Sequence, residues 1–243
     1  MKILILFLVF GLLEAAVHVH QGILNLYHQK YSGDGTYYGS GTGGTCSYSP
    51  PSMPPVASHI NKLVAVNAPQ FYGSLSCGMC FRVHGTGQGS GNDPITGTFT
   101  AFAKDLCPEC HAGSLDLAEN GDGRWKIQIQ AIQCPVGNSK IEYKFQGSNQ
   151  YYLKLQIRNG RIPTTSVQMY QPKSHRWSSL KHTSDGFWIF GSDHIDKPVV
   201  TPFQVRLTAA NGETLQDHIP RLANDAVIHG DGVQYKLDSN LPH

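Results

Sequence analysis

Residues Asp105 to Leu117 read D-L-C-P-E-C-H-A-G-S-L-D-L, which sets two carboxylic acids, Asp105 and Asp116, on either side of a Cys-x-x-Cys hinge. Paired carboxyl groups are what hydrolysis of a glycosidic bond requires. One protonates the leaving oxygen and the other activates water, and inversion of configuration needs about 6.5–9.5 Å between them. For the two acids to meet, the chain must reverse between them. Ala101 to Lys104 reads as a half-buried strand ending at Asp105, Pro108 and Gly113 are turn residues, and Leu115-Asp116-Leu117 then returns as a strand. An isolated aspartate after a glycine turn is most often a solvated cap, so the pair carries the argument and neither acid does alone.

The elements that must position this pair are strands. Lys62–Val66, Phe81–His84, Thr98–Ala103 and Ile127–Ile132 cluster or alternate apolar and β-branched residues between Gly, Pro and Asn punctuation. They are expected to form one closed or nearly closed sheet. Gly85–Gly97 is glycine-rich without phosphate-loop spacing and reads as a mobile hairpin loop, and Ser49–Pro55 as a stiff surface loop. Phe145–Asn149 is a short polar break. Beyond it, Tyr151–Arg158, Ser166–Tyr170, Arg176–Leu180, Phe187–Phe190 and Pro202–Leu207 are strand candidates in the pattern of a β-sandwich. The 26 glycines and the sparse charge, 15% of residues, agree with many turns and few helices.

Charge nearly balances, with 19 basic and 17 acidic residues. A nucleic-acid partner usually leaves a clustered basic face, so that class is disfavoured. Residues 1–17 carry one lysine, an apolar run and small residues at Ala15 and Ala16, the pattern of a secretory signal; no second run approaches membrane length, which predicts an exported product with no membrane partner. All six cysteines, Cys46, Cys77, Cys80, Cys107, Cys110 and Cys134, lie in the first part of the chain, which itself marks a boundary. An even number in an exported chain is consistent with three disulfides. Two Cys-x-x-Cys pairs could instead hold a tetrahedral zinc, although the interval between them is long for a zinc knuckle and two cysteines would be left over.

Gly35-Thr36-Tyr37-Tyr38-Gly39, Cys77-Gly78-Met79-Cys80 and the Asp105–Leu117 segment together resemble the first domain of expansins and expansin-like proteins, relatives of the family 45 glycoside hydrolases. Tyr152, Leu153 and Leu155–Gly160, followed by Thr201–Thr208, Gly212 and Ile219-Pro220, resemble their second, polysaccharide-binding domain. The resemblance implies the pairings Cys46–Cys77, Cys80–Cys134 and Cys107–Cys110. It also implies a groove containing Asp116, the acid kept by expansins and hydrolases alike, with Asp105, Thr36 and Tyr38. Gly39 falls where the hydrolases' general base lies, and glycine cannot abstract a proton; only Asp34, Asp105 or Asp122 could stand in. Leu115, Leu117 and Tyr38 are expected to give Asp116 an apolar setting that keeps it protonated.

On the second domain the resemblance implies a binding face of Tyr151 and Tyr152. The third aromatic position falls near Asp185, with Phe187 or Trp188 the nearest candidates and Lys154 beside them. The resulting expectation is an all-β protein: a six-stranded double-psi β-barrel over residues 21–145 and an immunoglobulin-like β-sandwich over 149–238. It is expected to be a secreted, extracellular monomer without metal or cofactor. It would bind cellulose, β-glucan, xyloglucan or chitin and loosen the polymer without hydrolysis. The alternatives are a weak inverting endoglucanase and a non-catalytic glycan-binding matrix protein.

Overall fold

The computed structural model describes residues 21–60 and 62–243; the export signal expected at 1–17 lies outside the described residues. Residues 21–28 are helical, and Ile23, Leu26 and Tyr27 bury against the first sheet. That sheet is built from β1 (Tyr31–Tyr37), β2 (Lys62–Asn67), β3 (Cys80–Ser90), β4 (Thr96–Cys107), β5 (Leu115–Leu117) and β6 (Arg124–Ile132). The strands close into a barrel in the order β1-β5-β2-β4-β3-β6, with β1/β5 and β2/β4 parallel and the remaining pairs antiparallel. This is the six-stranded double-psi barrel that the resemblance implies. Alternation decides which side chains fill it: Val64 and Val66, Leu115 and Leu117, and Ile127 and Ile129 turn inward and are buried.

The expectation of a mobile loop over Gly85–Gly97 is wrong. β3 runs on to Ser90 and β4 begins at Thr96, so only the tip between them is loop. The glycines serve close approach, not freedom. A β-carbon on Gly85 would lie 2.3 Å from the Ile95 carbonyl oxygen, and one on Gly89 would lie 2.1 Å from that of Arg124. Backbone pairing needs no side chain, so the β-propensity pattern is silent where the ladder persists. The stiff loop expected at Ser49–Pro55 yields at its end to a short helix, Pro55–His59, which proline can start because its missing N–H would have no partner there.

The second unit comprises β7 (Glu142–Phe145), β8 (Lys154–Arg158), β9 (Thr164–Gln171), β10 (Arg176–His182), β11 (Trp188–Phe190), β12 (Phe203–Ala209), β13 (Thr214–Ile219) and β14 (Val227–His229). One sheet is ordered β13-β12-β9-β10 and the other β10-β11-β8-β7-β14. β10 belongs to both: Arg176–Ser179 pair with β9, and Leu180–His182 pair with β11. The result is the expected β-sandwich. Residues 142–145, read from the sequence as the end of the barrel, instead form β7 and pair with β8 and β14. The polar break at 146–149 is a hairpin inside the sandwich, since Gly and Asn mark a tight turn as readily as a boundary.

All three disulfides form as the resemblance implies: Cys46–Cys77, Cys80–Cys134 and Cys107–Cys110. No free cysteine remains among the described residues, so the zinc reading has no thiolate to use. Cys80–Cys134 ties β3 to the segment entering the sandwich across 54 residues of sequence. Replacing both with alanine is expected to lower stability by about 2–5 kcal/mol, read as a fall in the urea midpoint.

The two units meet along a polar seam. Gln156 donates to the Cys46 carbonyl (2.8 Å), the Val56 N–H to Asn159 (3.1 Å) and the Ser74 hydroxyl to the Thr183 carbonyl (2.7 Å). His182 sits in this seam, 3.3 Å from Ser74 Oγ and packed against Trp188 with ring centroids 4.5 Å apart and planes tilted by 45°. Burial pushes its imidazole down to about 4, against a smaller opposing pull from Asp185. The folded state therefore holds His182 neutral where the unfolded chain, with a pKa near 6.5, takes up a proton. Stability is present above about 6.5 and lost as pH falls toward about 4, by roughly 3 kcal/mol at most. Urea midpoints at pH 7 and pH 4.5 should show this loss, and His182→Gln should show a smaller one.

Candidate functional site

The barrel strands bring the sequence-predicted acids onto one register row. Thr36 on β1 pairs with Asp116 on β5, Asp116 with Ala65 on β2, and Ala65 with Asp105 on β4. Residues opposite one another in neighbouring strands point to the same side of a sheet, so Thr36, Asp116 and Asp105 share a face, with the small Ala65 between the acids. Two strand spacings place the acids' backbones roughly 10 Å apart. β4 reaches this register only through a bulge that skips Lys104, whose ammonium donates to the Gly41 carbonyl (2.6 Å). Without that extra residue, Asp105 would be turned into the barrel, the usual consequence of a one-residue slip.

Asp116 is half-buried and accepts a hydrogen bond from the Thr36 hydroxyl at 2.6 Å. Burial raises its pKa above the ordinary aspartate value. The Thr36 bond opposes the rise, Glu109 adds to it and Arg124 opposes it. The expected cause needs correction: Leu115 and Leu117 flank Asp116 but face the barrel interior, buried on the other side of β5. Asp105 is pinned, its Oδ1 accepting from the Thr45 N–H (2.6 Å) and the Leu106 N–H (2.8 Å). Tyr38 stands at the groove edge. Burial, then the charges of Asp105 and Asp116, push its phenol well above the ordinary tyrosine value, so it stays a hydrogen-bond donor.

Gly39 has φ +89° and donates its N–H to the Glu119 carbonyl (3.1 Å), so backbone alone occupies the position of the missing base. Two of the three possible substitutes are engaged elsewhere. Asp34 is held by Lys126 (2.7 Å) and Arg124 (3.3 Å), which keep its carboxyl below the usual range, and Asp122 accepts from Asn92 (2.9 Å). Asp34 shares the face of Thr36 and Asp116, two residues back along β1, but its carboxyl is taken up by Lys126 and Arg124, so Asp105 is the remaining candidate on this face.

On the sandwich, Tyr151 and Tyr152 lie in the β7–β8 hairpin and are exposed, at 57% and 41%. The Asn149 side chain accepts from both of their N–H groups and fixes the turn that presents them, which is why adjacent residues can both face outward where an ideal strand would show one. Phe187 and Trp188 are not platform residues: both are buried, at 1% and 5%, as large aromatics following a glycine turn into a sandwich core usually are. Lys154 lies over the Phe187 ring at 4.5 Å and pairs with Asp185 at 2.6 Å, so charge, not a third ring, flanks the two tyrosines.

Comparison with known proteins supplies a context for this geometry. No family model matches the chain. Expansin-B17 of Oryza sativa subsp. japonica is 26% identical over 213 residues, covering 76% of this chain and 74% of that protein. Expansin-like protein 1 of Dictyostelium discoideum is 27% identical over 205 residues, covering 77% of this chain and 65% of that protein. The crystal structure of the Clavibacter michiganensis expansin superposes with a TM-score of 0.69 at 23% identity, covering 86% of this chain and all of that one. The chain is expansin-like in sequence and in fold. An Asp-to-Asn mutant of the same Clavibacter protein, solved in complex with cellohexaose, gives the same score.

Within the expansin-like groove the structure adds residues that sequence reasoning passed over. Glu109, from the Cys107–Cys110 loop, brings a carboxylate oxygen within 4.8 Å of one on Asp116. Cys107 Sγ completes that trio, but it is bonded to Cys110 and offers no thiolate to a metal. Gly44 packs under Asp105, where a β-carbon would lie 2.6 Å from the Lys104 carbonyl and 3.1 Å from the Asp105 carboxyl carbon. Gly44→Ala is therefore expected to displace the Thr45 N–H from Asp105, seen as a shift of that amide resonance. The acid between the two cysteines was visible in the sequence; its approach to Asp116 was not, because it depends on how a four-residue ring turns.

Proposed function

We propose that this protein is a secreted expansin-like factor that binds cellulose or a related wall polysaccharide through Tyr151 and Tyr152 and loosens it without hydrolysis. The observation that carries this reading is a half-buried acid, Asp116, biased toward its protonated form and oriented by Thr36, with a glycine where a general base would act. A neutral carboxyl can donate to a glycan hydroxyl or ring oxygen and so compete with hydrogen bonds between polymer chains. Tyr38 supplies a second donor. The exposed tyrosine pair offers flat apolar area for the C–H face of a sugar. Binding of cellohexaose by the Clavibacter expansin supports a β-glucan ligand. Among the described residues no helix is long and apolar enough to cross a membrane, and the disulfides suit an oxidising, extracellular setting.

The test is reducing-sugar release from amorphous cellulose, β-glucan and xyloglucan, with pull-down on the same polymers and extension of heat-inactivated cell walls. Binding and extension without release is the expected result. One specific observation keeps an inverting endoglucanase in play: Asp105 shares the face of Asp116 at roughly 10 Å of backbone separation. Release that grows with time and is lost in both Asp116→Asn and Asp105→Asn would establish hydrolysis and overturn the proposal. Binding with neither release nor extension would make the protein a matrix component.

A further inference from the structure

The Cys107-Pro108-Glu109-Cys110 segment is a short ring closed by a disulfide, set between the end of β4 and the turn into β5. Cys107 is buried and fixed at the end of the β4 ladder, opposite Asn67, whereas Pro108 and Glu109 face solvent. A glutamate at an exposed turn would ordinarily sample a wide volume of water. Here the ring limits it, and a carboxylate oxygen lies within 4.8 Å of one on Asp116, with no ion pair to a basic side chain within 4.0 Å among the described residues. Like charges at such a distance cannot both form without cost, and the more desolvated group retains its proton.

We propose that Glu109 is a positioning residue for the groove: held beside Asp116 by the Cys107–Cys110 ring, its negative charge keeps the proton on Asp116. The proposal rests on the reading of Asp116 as the working acid, and it makes that acid dependent on the state of one solvent-near disulfide. The other groups on this face are Thr36 and the ion-paired Asp34 from β1, Tyr38 just after it, Asp105 two strands away on β4 and Arg124 from β6; Ala65, on β2, carries no charge. Thr36 and Arg124 favour the ionised acid, so Glu109 is the charged neighbour that acts in the opposite sense. Opening the ring with an added dithiol, which is oxidised to its own disulfide as Cys107 and Cys110 become thiols, would release Glu109 into solvent and move the proton equilibrium of Asp116 without touching Asp116 itself.

The experiment is a carbon-13 carboxyl titration of Asp116 in the unliganded protein, its signal assigned through Asp116→Asn. Four proteins are compared: wild type, Glu109→Gln, Cys107→Ser/Cys110→Ser and Thr36→Val. Glu109→Gln is expected to move the Asp116 midpoint to lower pH, and the double serine variant to move it in the same direction although Glu109 is still present. Thr36→Val should move it upward, which separates loss of a like charge from general loosening of the groove. An unchanged or raised midpoint in Glu109→Gln overturns the proposal. An unchanged midpoint in the double serine variant overturns the part assigned to the ring. In wall extension, the alkaline limb of the Glu109→Gln pH profile should shift to lower pH while pull-down on cellulose is unaltered. If the wild type extends no wall at any pH, the loosening function fails, and the titration still decides the role of Glu109.

Discussion

Asp116→Asn is expected to abolish wall extension, by about 10²-fold or more, while the protein still binds cellulose in pull-down. Asparagine keeps the size of the side chain and can still donate a hydrogen bond from its amide, but it cannot release or take up a proton. Its amide oxygen can still accept from Thr36, the partner at 2.6 Å in the wild type, so the acidic proton is what the substitution removes. If extension survives in the asparagine variant and disappears only in Asp116→Ala, the acid acts as a neutral donor and its proton is never transferred. In the wild type, extension should fall as pH rises through the raised Asp116 pKa, because the ionised form has no proton to offer.

The same shift has a sign for stability. A folded pKa above the unfolded value means that the native state binds more protons in the interval between them, so stability declines as pH rises from near 3.8. Once ionised, the half-buried Asp116 is a small liability. Asp116→Asn should therefore melt slightly above wild type at neutral pH and no higher than wild type below pH 3.8. A site that lowers stability when intact and raises it when removed is the pattern expected of a functional acid. A lower melting temperature at pH 7 would argue that the Thr36 bond outweighs burial and that the groove is a structural feature.

The second large effect is expected at the sandwich. Tyr151→Ala with Tyr152→Ala should weaken retention on cellulose about 30-fold, taking about 1 kcal/mol for each ring and tenfold in Kd for every 1.4 kcal/mol. Either single variant should lose about fivefold. Neither ring packs in the core, so melting temperature should hold, and a binding defect without a folding defect is the informative outcome. Trp188→Ala is the contrasting control: its ring is buried and packs against His182, so it should lose stability by about 3–5 kcal/mol. A double tyrosine variant that binds as wild type would remove the platform from the mechanism and leave the barrel groove as the glycan contact.

Extended to tryptophan, the same face offers a gain-of-function check. Tyr151→Trp enlarges the flat area that a sugar can cover and should tighten binding, by a few-fold. Lys154 and Asp185 limit how far such a platform can spread, since their ion pair occupies the ground beside the tyrosines.

Much of this protein was legible before any coordinates. Hydrophobic alternation and turn residues carry a period of two, and they located most strands of both sheets, although β1, β7, β13 and β14 were passed over where the pattern is short, polar or glycine-rich, as in Tyr31–Tyr37 and Thr214–Ile219. The spacing D-L-C-P-E-C with S-L-D-L marked the two candidate acids, and the confinement of cysteines to the first part of the chain marked a boundary, while the pairings and the glycine in place of a base came only with the resemblance those motifs carry. These are local facts about order and residue type. Only the tertiary structure decided how the acids stand. Asp105 and Asp116 face one side because a bulge at Lys104 shifts β4 by one residue against β2, and a shift of that kind leaves no mark on hydrophobic pattern. It was also tertiary contact that buried Phe187 and Trp188, kept Gly85 to Ser90 within a ladder, and set Glu109 beside Asp116. Each of those outcomes depends on which distant strand arrives as a neighbour, and a chain's own periodicity carries no information about that.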